Sequence, residues 1–441
     1  MRAIPLLLLA AVLPVSAQDL KTFVNSQVPS LVDIYKDLHS HPELSHQEVR
    51  TSALVAAELR KAGYTVTEHV GKYPDGSQAN GIVAVLENGA GPRLLIRSDL
   101  DALPVIEDTG LPYASHVKAK NPAGQEVGVM HACGHDIHMS TLIGTARALA
   151  ALKSQWHGTV MLIGQPAEET IDGAKAMIAD HLYERFGKPD MAIALHDTNI
   201  HPAGQVSLTS GPALSGATSI DVTMRGVGSH GSRPDLSKDP IVMAAQFITQ
   251  IQTIASRQID PRDPVVVTVG DIHAGTRRNI IPDDAKMEIT LRAFNEKTRE
   301  AAISGLRRAA QGVALAAGVP EDRAPVITIL DNESTPVTYN DPALTGRVRK
   351  AIAGVLGAQN VVDDPLQMGS EDFGLFGLEG HQIPTVMFWL GAMDPAKFAE
   401  AAAAGKELPG LHSNHFEPLP EPTLRTGVEA MTSAAIALLQ Q

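Results

Sequence analysis

Cysteine is almost absent from this chain. Cys133 is the one thiol in 441 residues, so no disulfide can form within the molecule. Aromatic residues are also scarce, at 4% of the chain, so a core has to rest on Leu, Ile, Val and Ala. Cationic clusters are missing. Acids outnumber bases 49 to 36 for a net charge of −13, and no Lys/Arg stripe interrupts that excess. Nucleic acid is therefore not an expected partner, and the acidic balance reads as plain solubility. Beyond the N-terminus no stretch is long and apolar enough to span a bilayer. With 44% hydrophobic and 19% charged residues, the composition excludes disordered, collagenous and coiled-coil classes.

What is present begins at the N-terminus. Arg2 precedes an apolar run from Ile4 to Leu13, and Val15-Ser16-Ala17 is a small-x-small cleavage signal. Together they predict a secretory leader, residues 1–17, cut after Ala17, and hence export to the periplasm or beyond. An unpaired thiol in an oxidising compartment is exposed to oxidation unless it is buried or occupied. Cys133 therefore needs an explanation.

The rest of the chain alternates strand and helix patterns. Ser45-His46-Gln47-Glu48 reads as a capping box ahead of a helix carrying Val49, Ala53, Ala56 and Leu59, with Gly63 at its stop. Short apolar runs follow at Ile82 to Leu86, Leu94 to Ile96, Val160 to Ile163 and Met191 to Leu195, with a helix expected over Ile137 to Leu152. This alternation predicts an α/β catalytic domain with a mainly parallel sheet covered by helices. Near Gly211 the pattern changes to β-α-β-β-α with a further strand at Val326 to Leu330, which fits a small α+β two-layer sandwich. After about Thr338 the α/β character returns. The expected organisation is a catalytic domain split over 18–210 and 336–441, with an inserted domain at 211–335.

Three strands lead to ligand-type residues at their carboxyl ends: Asp99, the pair Glu168-Glu169, and His196. Open α/β sheets place their ligand sites there. In His131-Ala132-Cys133-Gly134-His135-Asp136, residues 133 and 135 point to the same side of an extended segment, and thiolate with imidazole is a ligand pair that zinc favours and other divalent metals accept. Two adjacent glutamates after a buried strand are costly without a cation or a proton. His412 adds a late imidazole. Each of these signals alone is as compatible with a structural residue as with a ligand; their combination is not.

The ordered strings HPELS (41–45), SDLDALP (98–104), HACGHD (131–136), QPAEE (165–169), NIIPD (279–283) and GSEDF (369–373), with the His412 segment, cover nearly all of the chain after the leader. In these strings the chain resembles the two-metal aminoacylase/carboxypeptidase amidohydrolases, in particular the branch of hippurate hydrolases and indole-acetyl-amino-acid hydrolases. The resemblance implies two divalent ions per chain (Zn, Mn, Co or Ni). Cys133 would bridge them, His135 and His196 would complete one ion, and Glu169 and His412 the other. Glu168 would be the general base, and Asp99 and Asp101 would orient a ligand imidazole rather than bind metal. The insert would be a lid and dimerisation domain in a homodimer, with His230 reaching the reacting carbonyl of the partner subunit and with Asn279 and Arg292 near the substrate carboxylate. The implied reaction is hydrolysis of the amide bond of small N-acylated amino acids. The same site would also serve a metallo-carboxypeptidase or dipeptidase, and a non-catalytic binding homologue is the reading from another class. Asp235 where a His commonly follows Pro234, the stretch Asp197 to His201, and Arg277-Arg278 ahead of Asn279 depart from the family pattern and leave the substrate open.

Overall fold

The computed structural model describes residues 17–440. The expected leader lies outside them apart from Ala17, which opens the first helix. The strands that matter below are β1 (Thr65–Lys72), β2 (Gln78–Asn88), β3 (Arg93–Asp99), β4 (Gly158–Gln165), β5 (Met191–Pro202), β6 (Val206–Ser207), β7 (Gly216–Arg225), β8 (Val265–Ala274), β9 (Asp284–Ala293), β10 (Val326–Thr335), β11 (Val361–Val362) and β12 (Thr385–Met393). The helices are α1 (Ala17–Ser40), α2 (Val49–Lys61), α3 (His135–Ala151), α4 (Pro240–Thr253), α5 (Glu296–Ala316), α6 (Pro342–Leu356) and α7 (Pro420–Leu439).

Eight strands form one sheet in the order β1-β2-β4-β3-β5-β12-β6-β11. Its centre, β4-β3-β5-β12, is parallel, and antiparallel pairs flank it on both sides. The central strands are buried on both faces, so they read as continuous apolar runs rather than alternating ones; every residue of β4 is buried. Alternation survives in where the side chains go. Leu94 and Ile96 face a core shared with α1, α3, α6 and α7, while Leu95 faces the opposite one with Met161, Met177 and Phe373. α3 lies between the sheet and α1 and α7 and is buried on nearly every side.

A second, four-stranded antiparallel sheet, β8-β9-β7-β10, comes from residues 216–335. α4 and α5 cover one face of it and close a separate core around Met224, Phe247, Leu291 and Leu306. α5 starts where Asn295 Oδ1 accepts the Thr298 N–H at 2.8 Å, a side-chain cap of the ordinary kind. Among the described residues no helix is long and apolar enough to cross a membrane.

Two local expectations are corrected. Ser45 and Glu48 do not form a capping box: Ser45 Oγ donates to Asp101 Oδ2 at 2.6 Å, and Glu48 Oε1 accepts from the Ala167 N–H at 2.9 Å. Long-range buried partners outcompete the local cap. Likewise β5 does not stop before His196. Pairing with β12 carries it on through Thr198 to Pro202, so His196 lies inside the strand.

Candidate metal centre

The carboxyl ends of β3 and β4, the middle of β5 and the start of α3 converge beside a cleft of about 350 Å³, whose walls include Cys133, Glu168, Glu169, His196, Arg292 and His412. A larger groove of about 1000 Å³ lies between α4 and α5 of the insert, but no His, Cys or carboxylate lines it. The chemistry therefore belongs to the smaller cleft.

Gly134 makes the Cys133 loop possible. It has φ +75°, and a Cβ there would lie 2.1 Å from Asp197 Oδ2, so both backbone and space demand glycine. Cys133 Sγ then sits 3.5 Å from His196 Nε2. His412 Nε2 is 3.6 Å and His135 Nε2 3.9 Å from Glu169 Oε1. The His412 N–H donates to the Ala132 carbonyl at 2.7 Å, which ties the C-terminal segment to the Cys133 loop.

Of the possible donor sets, two share one sulfur: Cys133 with His135 and His196, and Cys133 with Glu169 and His412. The imidazoles are prepared for this. His135 Nδ1 is 2.8 Å from the Asp101 carbonyl oxygen and His196 Nδ1 is 2.8 Å from that of Asp197. Each Nδ1–H donates to a carbonyl, which leaves Nε2 as the ligand atom. His135 Nε2 and Glu169 Oε1 are buried with no hydrogen-bond partner among the described residues. Unsatisfied buried donors and acceptors are rare, and soft and hard atoms left open in this arrangement fit divalent metal ions.

Electrostatics point the same way. Burial and the neighbouring carboxylates, Glu169 first, push the Cys133 thiol well above its ordinary value. Burial, then Glu371, Glu169 and Asp372, push Glu168 well up, and burial brings Glu169 to about 7 against the pull of His135. Surplus negative charge gathered out of water calls for cations.

Asp99 belongs to neither of the two sets that share Cys133. Its Oδ1 is 2.7 Å from His138 Nδ1, whose Nε2 accepts the Asp197 N–H at 2.9 Å. Both ring nitrogens of His138 are engaged, so His138 ties β3, α3 and β5 together. Sequence reasoning missed it, although its place three residues after His135 on a helix puts both on one face. Arg97 was missed as well. It is fully buried, with Nη1 at 2.8 Å from Asp99 Oδ2, Nη2 at 2.8 Å from Glu371 Oε1 and 3.0 Å from Asp372 Oδ1, and Nε at 2.8 Å from Gln165 Oε1.

The remaining expected site residues divide. Arg292 reaches the cleft wall, its Nη1 donating to the Met368 carbonyl at 2.9 Å. His230 and Asn279 do not reach the cleft of their own chain. They are exposed neighbours on a two-stranded ribbon of the insert, where Ser229–His230 pairs with Ile280–Ile281 and the Gly231 N–H donates to the Asn279 carbonyl at 2.8 Å.

Lewis-acid hydrolysis of an acyl bond is what such a donor set serves beside a buried glutamate, and the fold and site define a metal-dependent hydrolase. Residues 95–436 match the sequence model of the Peptidase family M20/M25/M40, and the chain belongs to that family. It is 34% identical over 383 residues to thermostable carboxypeptidase 1 of Saccharolobus solfataricus (86% of this chain, 90% of the relative). It is 35% identical over 359 residues to the hippurate hydrolase of Campylobacter jejuni (79% and 87%). Among solved structures, a Bacillus subtilis dinuclear metal binding peptidase from the M20 family superimposes with a TM-score of 0.74 at 28% identity, over 94% of this chain and 99% of that one.

Proposed function

We propose that the protein hydrolyses the amide bond of small N-acylated amino acids at a two-metal site. The observation that carries this is the pair of donor sets sharing Cys133 Sγ beside Glu168, in a cleft sized for a small substrate. Cys133 would serve both ions, with His135 and His196 on one and Glu169 and His412 on the other. Divalent ions held there supply Lewis acidity that makes a water a nucleophile near neutral pH. Glu168, whose burial raises its affinity for a proton, takes the proton from the attacking water and hands it to the leaving amine. Arg292 offers its guanidinium to the substrate carboxylate, and Leu214, Trp389 and Leu411 form an apolar wall for the acyl group. His230, exposed and remote from its own cleft, fits a role at the reacting carbonyl of the partner subunit in a homodimer. The leader pattern adds export to the reading, tested by whether the secreted chain begins at Gln18.

The similarity to a carboxypeptidase supports a second reading, in which the substrate is a peptide. A panel separates the two: N-acetyl and N-benzoyl amino acids against dipeptides, each with Zn, Mn, Co and Ni, scored by release of free amino acid. The proposal expects N-acyl substrates to be preferred and a chelator to abolish turnover reversibly. Glu168→Gln is expected to keep its metal and lose ~10²–10⁴ in kcat, while Glu169→Gln loses metal and is partly rescued by excess. A Glu168→Gln enzyme with parental kcat, or full turnover in metal-free protein, refutes the mechanism.

A further inference from the structure

The glutamate loop, residues 166–173, is held in a conformation that it would not adopt alone. Ala167 is fully buried with φ +48°, and Ile171 has φ +62°, a region that non-glycine residues enter at a cost. A Cβ on Gly173 would fall 1.6 Å from the Pro166 carbonyl oxygen. Within the loop, the Ile171 N–H donates to Glu168 O and the Gly173 N–H to Ala167 O. Glu168 carries its carboxylate without a hydrogen bond from any described residue; the nearest charged partner is His135 Nε2, at 3.9 Å. The aim of that carboxylate is therefore set by its backbone.

Two carboxylates from elsewhere in the chain grip the backbone on either side of Glu168. Asp101 Oδ2 accepts the Glu169 N–H at 3.0 Å. Glu48, fully buried, accepts the Ala167 N–H at 2.9 Å and the His46 N–H at 2.8 Å, both on Oε1, while its Oε2 is 3.3 Å from Asn80 Nδ2. His46 grips the far side of the loop, with Nε2 at 3.2 Å from Asp172 Oδ2 and 3.3 Å from Thr170 Oγ1. Asp101 also engages the ligand His135. Glu48 touches neither a metal-ligand side chain nor the cleft, so an effect of Glu48 on turnover has to pass through the loop.

We infer that Glu48 is a positioning residue for the reaction: by fixing the Ala167 N–H in the strained turn, it aims the carboxylate of Glu168. The inference rests on the reading of Glu168 as the base. A misplacement of about 1 Å at a reacting group can cost ~10²-fold in rate, so Glu48→Ala and Glu48→Met, the second filling the space without accepting a hydrogen bond, are expected to lower kcat by ~10–10²-fold. KM and metal content stay near the parent's. Glu48→Gln, whose amide oxygen replaces Oε1, retains most of kcat.

The decisive measurement is a double-mutant cycle with Glu168→Gln. If Glu48 acts through Glu168, then Glu48→Ala or Glu48→Met costs nothing further on that background. A parental kcat in Glu48→Met, a loss as large with Glu168→Gln as without it, or a loss that follows metal content overturns the inference. So does failure of both apolar variants to fold, which makes Glu48 a support of the fold. Failure of the base reading looks different: Glu168→Gln alone would then be active.

Discussion

Replacing Arg97 by Met tests whether the acids behind the cleft are held by one cation. Arg97 bridges Asp99, Glu371, Asp372 and Gln165 with all three guanidinium nitrogens, and each of the three acids is buried. Burial disfavours its charge, but Glu371, Asp99 and Asp372 hold it cationic. Burial raises Asp372 well above a normal carboxyl, with Arg97 opposing it and Glu371 adding to it. Asp99 and Glu371 are held down against their burial, Asp99 by His135, His138 and Arg97, and Glu371 chiefly by Arg97. Removing one partner of a buried ion pair costs about 3–5 kcal/mol, a large part of the ~5–15 kcal/mol that stabilises a typical domain. The methionine fills the volume but takes from Glu371 its chief counter-charge, while Asp99 keeps His135 and His138. The folded-state pKa of Glu371 then rises above the unfolded one, so stability is lost as pH rises through the raised value. Urea unfolding at equal metal concentration should show a deficit of about 3–5 kcal/mol at pH 8 that narrows at pH 5.5. A deficit below about 1 kcal/mol at pH 8, or one that widens on acidification, would refute the network's role.

Cys133→Ala should lose more metal than any other single ligand variant, since one sulfur belongs to both donor sets; elemental analysis showing parental metal would make Cys133 a core residue. His39 is opposed by burial, but Asp136 and Glu107 outweigh this and raise it to about 9. Its folded pKa lies above the unfolded one, so its contribution is complete below about pH 6.5 and disappears as pH passes 9. At ~1.36 kcal/mol per unit this is on the order of 3 kcal/mol, and His39→Gln should flatten the fall in urea midpoint between pH 6 and 9.5; an unchanged slope would disprove the pairing. In the proposed homodimer, mixing His230→Ala with Glu168→Gln subunits should restore some activity, because one site of a mixed dimer would regain both groups. Verified mixed dimers without recovery would remove His230 from the reaction.

The parts legible in the sequence are those whose signal is local. The apolar runs of the central strands and the β-α-β-β-α pattern near residue 211 appear as elements in the expected order, though β2 and β5 run well past their apolar cores. Cys133, His135, Glu168, Glu169, His196 and His412 stood out because their combination recurs in the order of a known family, and the structure gathers them around one cleft. What stayed hidden depends on partners far along the chain. Arg97 inside Leu94-Leu95-Ile96-Arg97 resembles a charge at a strand's edge, and only Glu371 and Asp372, some 274 residues later, make it a buried hub. Ser45 and Glu48 have the spacing of a cap, yet they turn to Asp101 and Ala167, 56 and 119 residues away. His138 lacked a neighbour of its own kind until Asp99 and Asp197 were brought beside it.

The place of β12 in the sheet gives the molecule a schedule. Residues 385–393 run between Met191–Pro202 and Val206–Ser207, segments made almost two hundred residues earlier. A chain still leaving the ribosome thus has a gap in this sheet until residue 393 has been synthesised. His412 arrives later still, and its own N–H must find the Ala132 carbonyl before the second donor set is whole. Assembly of the donor cluster therefore waits for a residue made almost 280 positions after Cys133, and a copy that ends before His412 lacks one member of it.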